Sequence, residues 1–239
     1  PSTEPYIAVM PLFNLNSDPE QAYFTYGLTE ELTAELARYQ DFQVIASHST
    51  LRFKDQKFDP KKAGQDLGVR FLLAGSVRKY LKTIKVTIRL LDTSSGKQIW
   101  GESYKRDLTA ANLISVQEDI AGSAVGAIAD QYGLINRRLS KESRKKAPAD
   151  FEVYDAVLRF YHYETKFTPE TFEKSLAAIE QAIRIDPEYG LAWAMYGLLH
   201  VDNHIFRFRE MEAPLDKALI FAQKGVTLAP DNQRAKGTL

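Results

Sequence analysis

The sequence predicts an α+β/α chain, in which a mixed five-stranded α/β sandwich of element order βαβαβββα is followed by an all-α domain of helical repeats. Two observations predict the first domain. Short apolar runs alternate with helical patterns, and Ile84 to Leu90 alternate apolar with polar side chains, which is typical of a strand with one wet face. A third observation predicts the second domain, because an apolar pattern near the C-terminus recurs 43 residues later.

The N-terminal domain begins with a predicted strand, helix, strand and helix. Asp18 is a favourable N-cap before Pro19, and leucines then recur every four residues, which indicates a helix. Pro60 begins a shorter helical pattern and Gly68 ends it. Short apolar or β-branched runs indicate buried strands before each helix. The predicted strands are Tyr6–Leu12 and Phe42–Ala46, and the predicted helices are about 19–39 and 60–67.

Three further strands should form an antiparallel meander. The turn cluster from Thr93 to Gly96 separates the last two of them, and Trp100 and Tyr104 share one face of the last strand. A helical stripe follows from Leu113 to Ile128. The predicted strands are Phe71–Leu81, Ile84–Leu90 and Ile99–Arg106.

A basic, apolar-poor run from Arg137 to Lys146 follows the stripe, and Pro148 ends it. Few contacts should cross such a segment, so we place the domain boundary there. The predicted domains are residues 1–147 and 148–239.

The C-terminal domain carries the repeat. Ala182, Ile183, Ile185 and Pro187 match Gly225, Val226, Leu228 and Pro230, and small or apolar character is kept at each pair. Self-similarity at a fixed period indicates stacked units that cannot bury their apolar faces alone. We expect two helical hairpins and a truncated third unit. The predicted helices are about 150–165, 169–186, 188–203 and 213–229.

Composition excludes several classes of protein. Lys plus Arg equals Asp plus Glu at 31 each, so no global charge attracts nucleic acid or an anionic membrane. Cysteine is absent, which excludes disulfides, thiolate metal sites and a cysteine nucleophile. No apolar run is long enough to span a membrane. The start at Pro1 and the end at Leu239 suggest a piece of a longer protein.

Two sets of residues in this chain follow patterns of known families. In the repeat they are Trp193, Gly197, Ala218, Gly225 and Pro230. In the N-terminal region they are Ile7–Val9, Pro11–Asn14, Asp18–Gln21, Tyr23–Phe24, Gly27–Leu32, Val44–Ala46, Gly68–Phe71, Gly75–Arg78, Leu91–Asp92, Gly96, Trp100 and Tyr104–Asp107. On these residues the repeat resembles the tetratricopeptide family, with an insertion of about nine residues in the second unit. Residues 6–130 resemble the TolB-like amino-terminal domain that precedes such repeats in bacterial signalling proteins.

The chain departs from these families at a few positions. Tyr26 stands where an acidic residue is usual, and the hairpin near Lys82 and Thr83 lacks the usual Gly-Asp turn. In the first repeat, Phe160 and Ser175 replace smaller residues. The resemblance implies a TolB-like domain followed by tetratricopeptide-like helices, normally attached to a class III nucleotide cyclase or a winged-helix domain.

Several residue groups have the composition of chemical sites, but their patterns favour structural roles. His200 and His204 share a helix face but have no third ligand in register, and glutamates 30, 31 and 35 suit a helix surface. The stretch Gly75–Arg78 lies inside a strand rather than in a phosphate-binding turn. The basic run from Arg137 has no interleaved aromatics, so a solvated helix end is preferred over a phosphate site. We therefore predict no catalytic residues, metal or cofactor.

Eight residues are candidates for an interaction surface. Four aromatic residues on predicted helices could line a peptide groove or pack in the core. The loop after the third helix pairs two phenylalanines with two arginines, a composition that suits an interface anchor or a loop folded back on the helices. These candidates are Tyr154, Tyr161, Trp193, Tyr196, Phe206, Arg207, Phe208 and Arg209.

These observations favour a non-catalytic regulatory and protein-interaction region of a bacterial signalling protein. The resemblance implies the C-terminal part of a class III adenylate or guanylate cyclase. The alternatives are the sensory region of a winged-helix transcription regulator and a small-molecule sensor. We expect a protein or peptide partner, a second copy or the parent's catalytic domain, no nucleic acid or membrane segment, and a cytoplasmic location, with the periplasm as the alternative.

Overall fold

The computed structural model describes residues 4–16, 19–39, 41–130, 133–146 and 150–239. Contacts group these residues into two compact units, which we call the α/β unit (4–134) and the helical unit (135–239). Each unit has its own buried apolar core. None of the helices in the described residues is long and apolar enough to cross a membrane.

The α/β unit is built on a mixed, six-stranded sheet. The strand order is β3-β1-β4-β5-β6, and β2 pairs with β4 beside this path. The strands are β1 (Tyr6–Val9), β2 (Phe13–Asn14), β3 (Gln43–Ile45), β4 (Phe71–Tyr80), β5 (Thr83–Asp92) and β6 (Lys97–Asp107).

One half of the sheet is parallel, because β1 pairs in parallel with both β3 and β4. Ile7, Ala8 and Val9 are all buried, the unbroken apolar run expected of a central parallel strand. The helices of this region are α1 (Pro19–Ala37), α2 (Ser47–Thr50), a 3-10 turn (Leu51–Phe53) and α3 (Pro60–Leu67). Gly68 ends α3 with a positive φ of 67°, as its sequence position predicts.

The sequence predicts five strands, and β2 is the additional one. Proline has no N–H, so the ladder of β1 stops at Pro11. The next amide, that of Leu12, donates to the Thr29 hydroxyl at 3.3 Å instead of to a strand. Pairing with β4 then resumes at Phe13 and Asn14. The predicted N-cap Asp18 lies outside the described residues.

The other half of the sheet is the predicted antiparallel meander of β4, β5 and β6. Buried and exposed side chains alternate along β5, with Ile84, Val86, Ile88 and Leu90 buried. The β4–β5 turn lacks glycine, and Leu81 takes a positive φ of 54°. Tyr80 still pairs with Thr83, so the departure from the family pattern changes the turn and keeps the pairing.

A buried carboxylate organises the β5–β6 turn. The hydroxyl and amide of Ser94 donate to Asp92 at 2.7 and 3.0 Å, the Ser95 hydroxyl donates at 3.0 Å, and the Arg70 guanidinium lies 3.1 Å away. Burial alone would raise the pKa of Asp92, but these hydrogen bonds and the Arg70 charge hold that pKa well below its usual range. The residue therefore stabilises the turn as an anion.

The single helix predicted after the meander is two helices, α4 (Leu113–Ala129) and α5 (Leu134–Ser143). The chain turns out of helical geometry at Asp130, whose ψ is 154°, and the Gly133 amide donates to the Asp130 carbonyl at 2.6 Å. From Ile135 onward the contacts group α5 with the helical unit, whereas the sequence boundary lies at 148. Pro148 itself lies outside the described residues.

The helical unit contains the four helices that the sequence predicts, within a few residues of the predicted ends. The helices α6 and α7 pack as one pair, and α8 packs most extensively on α9. The four predicted helices are α6 (Val153–Glu164), α7 (Pro169–Ile185), α8 (Gly190–Phe206) and α9 (Pro214–Leu228), and a short additional helix, α10 (Gln233–Lys236), follows them.

The period of 43 residues relates the end of α7 to the end of α9, and the start of α8 to the start of α10. The Asp186 amide donates to the Ala182 carbonyl at 2.8 Å, and the Ala229 amide donates to the Gly225 carbonyl at 2.9 Å. The helices that follow begin at Gly190 and Gln233, which are again 43 residues apart. The repeated sequence pattern is therefore a repeated backbone geometry.

Candidate interaction surface

Two of the eight predicted interaction residues belong to the core. Tyr154 and Tyr161 on α6 are only 4% and 2% exposed. The Tyr154 hydroxyl donates to the Asn136 side chain at 3.3 Å, which satisfies its polar atom inside the protein. Their rings therefore pack between helices, which is the core alternative that the sequence left open for them.

Trp193 and Tyr196 form a partly buried aromatic cluster on α8. Tyr196 stacks on Phe221 of α9 with ring centroids 4.5 Å apart, and Trp193 lies 5.6 Å from the same ring. The Trp193 indole N–H donates to the Pro187 carbonyl at 2.8 Å, and Lys224 Nζ lies 3.7 Å from the indole centroid. The outer part of this cluster is accessible from solvent.

The Tyr196 hydroxyl also forms a hydrogen bond within the protein. It donates to Glu180 of α7 at 3.1 Å. Burial, together with the Glu180 charge, raises the pKa of Tyr196 to about 12, so the phenol stays neutral at physiological pH. His200 packs edge-on against the Tyr196 ring at 4.9 Å.

The two candidate histidines do not converge on a site. His200 is 5% exposed, and burial and the Lys217 charge lower its pKa, while His204 is exposed. No group of three His, Asp or Glu side chains in the described part of the chain is placed to hold a metal ion.

The four remaining candidates lie at the end of α8 and in the loop that follows it, and they differ in how far they are buried. Arg207 ends α8 with a left-handed φ of 52°. The Asn203 side chain then closes the loop, because it donates to the Arg209 carbonyl at 2.9 Å and accepts from the Arg209 amide at 3.0 Å. Phe208 folds back onto the core, where its ring lies 5.0 Å from Phe172. Phe206 stacks on Phe208 but remains 51% exposed.

Beside this loop lies an open cavity of about 780 Å³. Charges of both signs line it, and Arg209 forms an ion pair with Glu173 at 3.2 Å. The lining residues are Asn203, His204, Arg207, Arg209, Glu210, Met211, Glu212 and Pro214. Two residues of the predicted site, Arg207 and Arg209, therefore line one cavity, whereas Phe206 is exposed at the end of α8 and Phe208 packs on the core.

Sequence reasoning missed an apolar stripe on α9. Leu215 and Leu219 lie one helical turn apart and are 48% and 55% exposed, and Val226, two turns after Leu219, is partly exposed where it borders the buried face of the helix. Ala218, Ala222 and Gly225 face α8 instead, and they are buried. The spacing of the two leucines is the signal that could have identified the stripe, since the small residues already accounted for the buried face. We call Leu215, Leu219 and Val226 the α9 stripe.

The α/β unit has a separate cavity of about 310 Å³, which lies beyond the carboxyl ends of the parallel strands β1 and β3. Open α/β sheets often bind ligands at such a position. Tyr26, the departure from the family pattern, lines this cavity and is 55% exposed. Glu30 also lines this cavity and accepts from the Ser47 hydroxyl at 3.1 Å, whereas Glu35 forms a surface ion pair with Arg38 at 3.0 Å.

Comparison with known proteins gives one relative of similar sequence. The chain is 29% identical over 224 residues, 93% of its length, to the protein named Putative adenylate cyclase 3 of Rhizobium meliloti (strain 1021). The chain spans 37% of that protein's length. No family model matches the chain.

Solved structures of bacterial proteins resemble about half of the chain. The lipoprotein GNA1162 of Neisseria meningitidis has a TM-score of 0.39 at 23% identity, covering 50% of this chain and 92% of its own. TolB of Acinetobacter baumannii has a TM-score of 0.36 at 15% identity, covering 53% of this chain and 28% of its own. The LpoB C-terminal domain of Escherichia coli has a TM-score of 0.35 at 17% identity, covering 44% and 84%.

Proposed function

We propose that this chain is a non-catalytic regulatory and protein-interaction region of a bacterial signalling protein, the C-terminal part of a class III adenylate or guanylate cyclase. The similarity to Putative adenylate cyclase 3 over 93% of the chain supports the signalling context. The cyclase domain would supply the chemistry in the cytoplasm, and the two units of this chain would bind a partner and transmit a signal.

The observation that carries the proposal is the uncovered apolar surface of the helical unit. The α9 stripe leaves two leucines about half exposed, and Phe206 is equally exposed at the end of α8. Contiguous exposed apolar side chains are characteristic of protein interaction sites. Arg207 and Arg209 supply a charged rim near Phe206, which resembles the aromatic and arginine composition of interface anchors.

A binding experiment tests this proposal directly. The chain would be titrated into the catalytic domain of the same protein by calorimetry, and its self-association would be followed by sedimentation velocity. Leu219→Asp places a charge in the α9 stripe and should abolish one of these two interactions. Gln223→Asp is the matched control, because it adds the same charge at an exposed position of α9 and should leave binding unchanged. Equal binding by Leu219→Asp would contradict the proposed surface.

An activity assay tests the non-catalytic part. The purified chain incubated with ATP or GTP and magnesium or manganese should form no cyclic nucleotide. Turnover that copurifies with the chain and persists through a second purification step would show that the chain is itself a cyclase.

A further inference from the structure

A second cavity of the helical unit, about 500 Å³ in volume, is strongly basic. It lies where the residues after α5 meet the α6–α7 hairpin. Five basic side chains from three segments line it, namely Arg144, Arg159, His162, Lys166 and Lys174. Glu170 is the acidic residue in the lining, and it forms an ion pair with Lys174.

Among the permanent cations of the lining, Lys174 alone is paired with an acid of the described residues. Arg144, Arg159 and Lys166 make no ion pair in the part of the chain that the structure describes. Arg159 lies over the Phe151 ring at 5.2 Å, and its Nε is buried without a hydrogen-bond partner. A buried donor without an acceptor is costly, and so are like charges held together. The whole chain is neutral, so this cavity is a local concentration of positive charge.

Three basic side chains of the cavity, Arg144, Lys166 and Lys174, lie close enough to His162 to act on its charge. The His162 side chain is partly buried, and its burial lowers its pKa. The charges of Arg144, Lys166 and Lys174 lower that pKa further. The three cations come from the residues after α5, from the α6–α7 loop and from α7. They therefore act on one point, although they are distant in sequence.

The amino end of α7 adds to the positive electrostatic potential of the cavity. Thr168 caps this 17-residue helix, and its hydroxyl accepts from the Thr171 amide at 3.3 Å. Both threonines line the cavity. The amino end of a helix carries partial positive charge, so it has the same sign as the surrounding side chains.

We propose that this cavity binds a small anion that carries two or more phosphoryl groups. Arginine guanidinium groups match phosphoryl oxygens through paired hydrogen bonds, and two arginines face this cavity. Glu170 offsets one of the four permanent cations, and the three that remain exceed what one carboxylate or one phosphate monoester neutralises. The volume lies within the range of small-molecule sites. This inference is independent of the proposed interaction surface, which uses other residues.

Calorimetry at constant ionic strength and pH 7 tests the site with pyrophosphate, inorganic phosphate and ADP as probes. Pyrophosphate should bind more tightly than phosphate. Equal affinity for ADP and pyrophosphate would identify the diphosphoryl group as the whole ligand, and tighter ADP binding would indicate a nucleotide source. No heat with either diphosphoryl probe at millimolar concentration would overturn the proposal.

Variants locate the binding. Arg144→Gln with Lys166→Gln removes two exposed cations of the cavity and should weaken pyrophosphate about tenfold or more. Arg137→Gln with Lys145→Gln removes the same charge at exposed positions outside the lining and should change the affinity less than about twofold. An equal loss in both double variants would mean a nonspecific charge effect and would overturn the site.

The four histidines provide a second readout that does not depend on affinity. Pyrophosphate near His162 favours the imidazolium, so the pKa of His162 measured by NMR should rise on binding. His48, His200 and His204 lie outside the lining, so their imidazole NMR signals should not shift when pyrophosphate is added at constant pH. An unchanged His162, or equal shifts at all four imidazoles, would contradict the proposed location.

Discussion

The α6–α7 and α8–α9 hairpins have equivalent helix ends but pack in different ways. In the first hairpin, large aromatic rings fill the interface: Phe160, Tyr163 and Phe172 are fully buried, with Tyr163 about 6 Å from each of the other two. In the second hairpin, the backbones touch. A Cβ on Gly225 would lie 2.6 Å from the Ala194 nitrogen, and one on Gly197 would lie 2.9 Å from the Ala218 carbonyl oxygen.

This difference shows what the 43-residue period specifies. The period is kept in the hydrogen bonds that close the helix ends, to the carbonyls of Ala182 and Gly225. It is also kept in the starts of the helices that follow. Inside each hairpin, aromatic volume and close backbone approach are alternative ways to exclude water. A repeat is therefore defined by its turns more strictly than by its interface.

The largest expected effect is the loss of an aromatic ring from the first hairpin. Phe172→Ala should lower the free energy of unfolding by about 3–5 kcal/mol, because it leaves a cavity among fully buried rings. Phe221→Ala in the second hairpin should cost only about 1–2 kcal/mol, because that ring is partly exposed. Urea denaturation measures both values. Equal losses would show that both hairpins depend on aromatic volume.

The next effect is larger in the second hairpin than in the first, because it tests the close approach of the α8 and α9 backbones. Gly225→Val places a branched side chain against the α8 backbone and should cost about 3 kcal/mol. At the equivalent position of the first hairpin, Ala182→Gly should cost only about 1 kcal/mol, mainly through helix propensity. Thermal unfolding of the two variants checks this order. A tolerated Gly225→Val would mean that α8 and α9 can separate without penalty.

The sequence predicted best those features that depend on neighbouring residues. The alternation of Ile84 to Leu90 and the cap at Gly68 are set by local geometry, and the structure contains them. The predicted helix ends at about 186 and 229 likewise lie within one residue of the observed ends, Ile185 and Leu228. The mixed α/β character of the first unit follows from the same local patterns.

Features that depend on distant pairing were missed. The two-residue strand β2 exists only because β4 lies beside it, more than 60 residues further along the chain. The carboxylate network of Asp92 needs Arg70 at the far end of β4. The basic cavity joins Arg144, Arg159 and Lys174, and only the first of these lies in the basic run that the sequence singled out. Burial of Tyr154 and Tyr161 likewise depends on packing that periodicity alone does not give.

A smaller effect on the free energy of unfolding, which depends on pH, distinguishes the Tyr163–Asp202 hydrogen bond from the Tyr196–Glu180 hydrogen bond. The Tyr163 hydroxyl donates to Asp202 at 3.0 Å. Burial raises the pKa of Asp202, and this hydrogen bond partly opposes the rise. Tyr163→Phe should therefore raise the pKa of Asp202 further. Because the folded protein then binds the proton more tightly than the unfolded chain, stability falls as pH rises through the folded pKa.

The expected loss for Tyr163→Phe is about 1–2 kcal/mol at pH 7 and less at pH 3, which lies below the ordinary pKa of an aspartate side chain, so that Asp202 with its raised pKa is mostly protonated in the folded protein. The measurement is the difference from the wild-type chain in urea denaturation at each pH. Tyr196→Phe is the matched variant, since it removes the bond to Glu180 and leaves Asp202 untouched. A loss for Tyr163→Phe that is the same at both pH values would rule out the Asp202 contact as its cause.

The smallest expected effect concerns the outer edge of the second hairpin. Lys224 lies over the Trp193 ring, whereas the equivalent position of the first copy holds Gln181. Lys224→Gln removes this contact and should cost about 0.5 kcal/mol, the value of an exposed cation–π pair. Trp193 fluorescence in a Trp100→Phe background reports the contact directly. Lys217→Gln removes an equal charge from α9 and should leave the indole emission unchanged. If both variants shift the emission equally, the second hairpin gains nothing specific from its lysine, and the two copies differ only in how their helices pack.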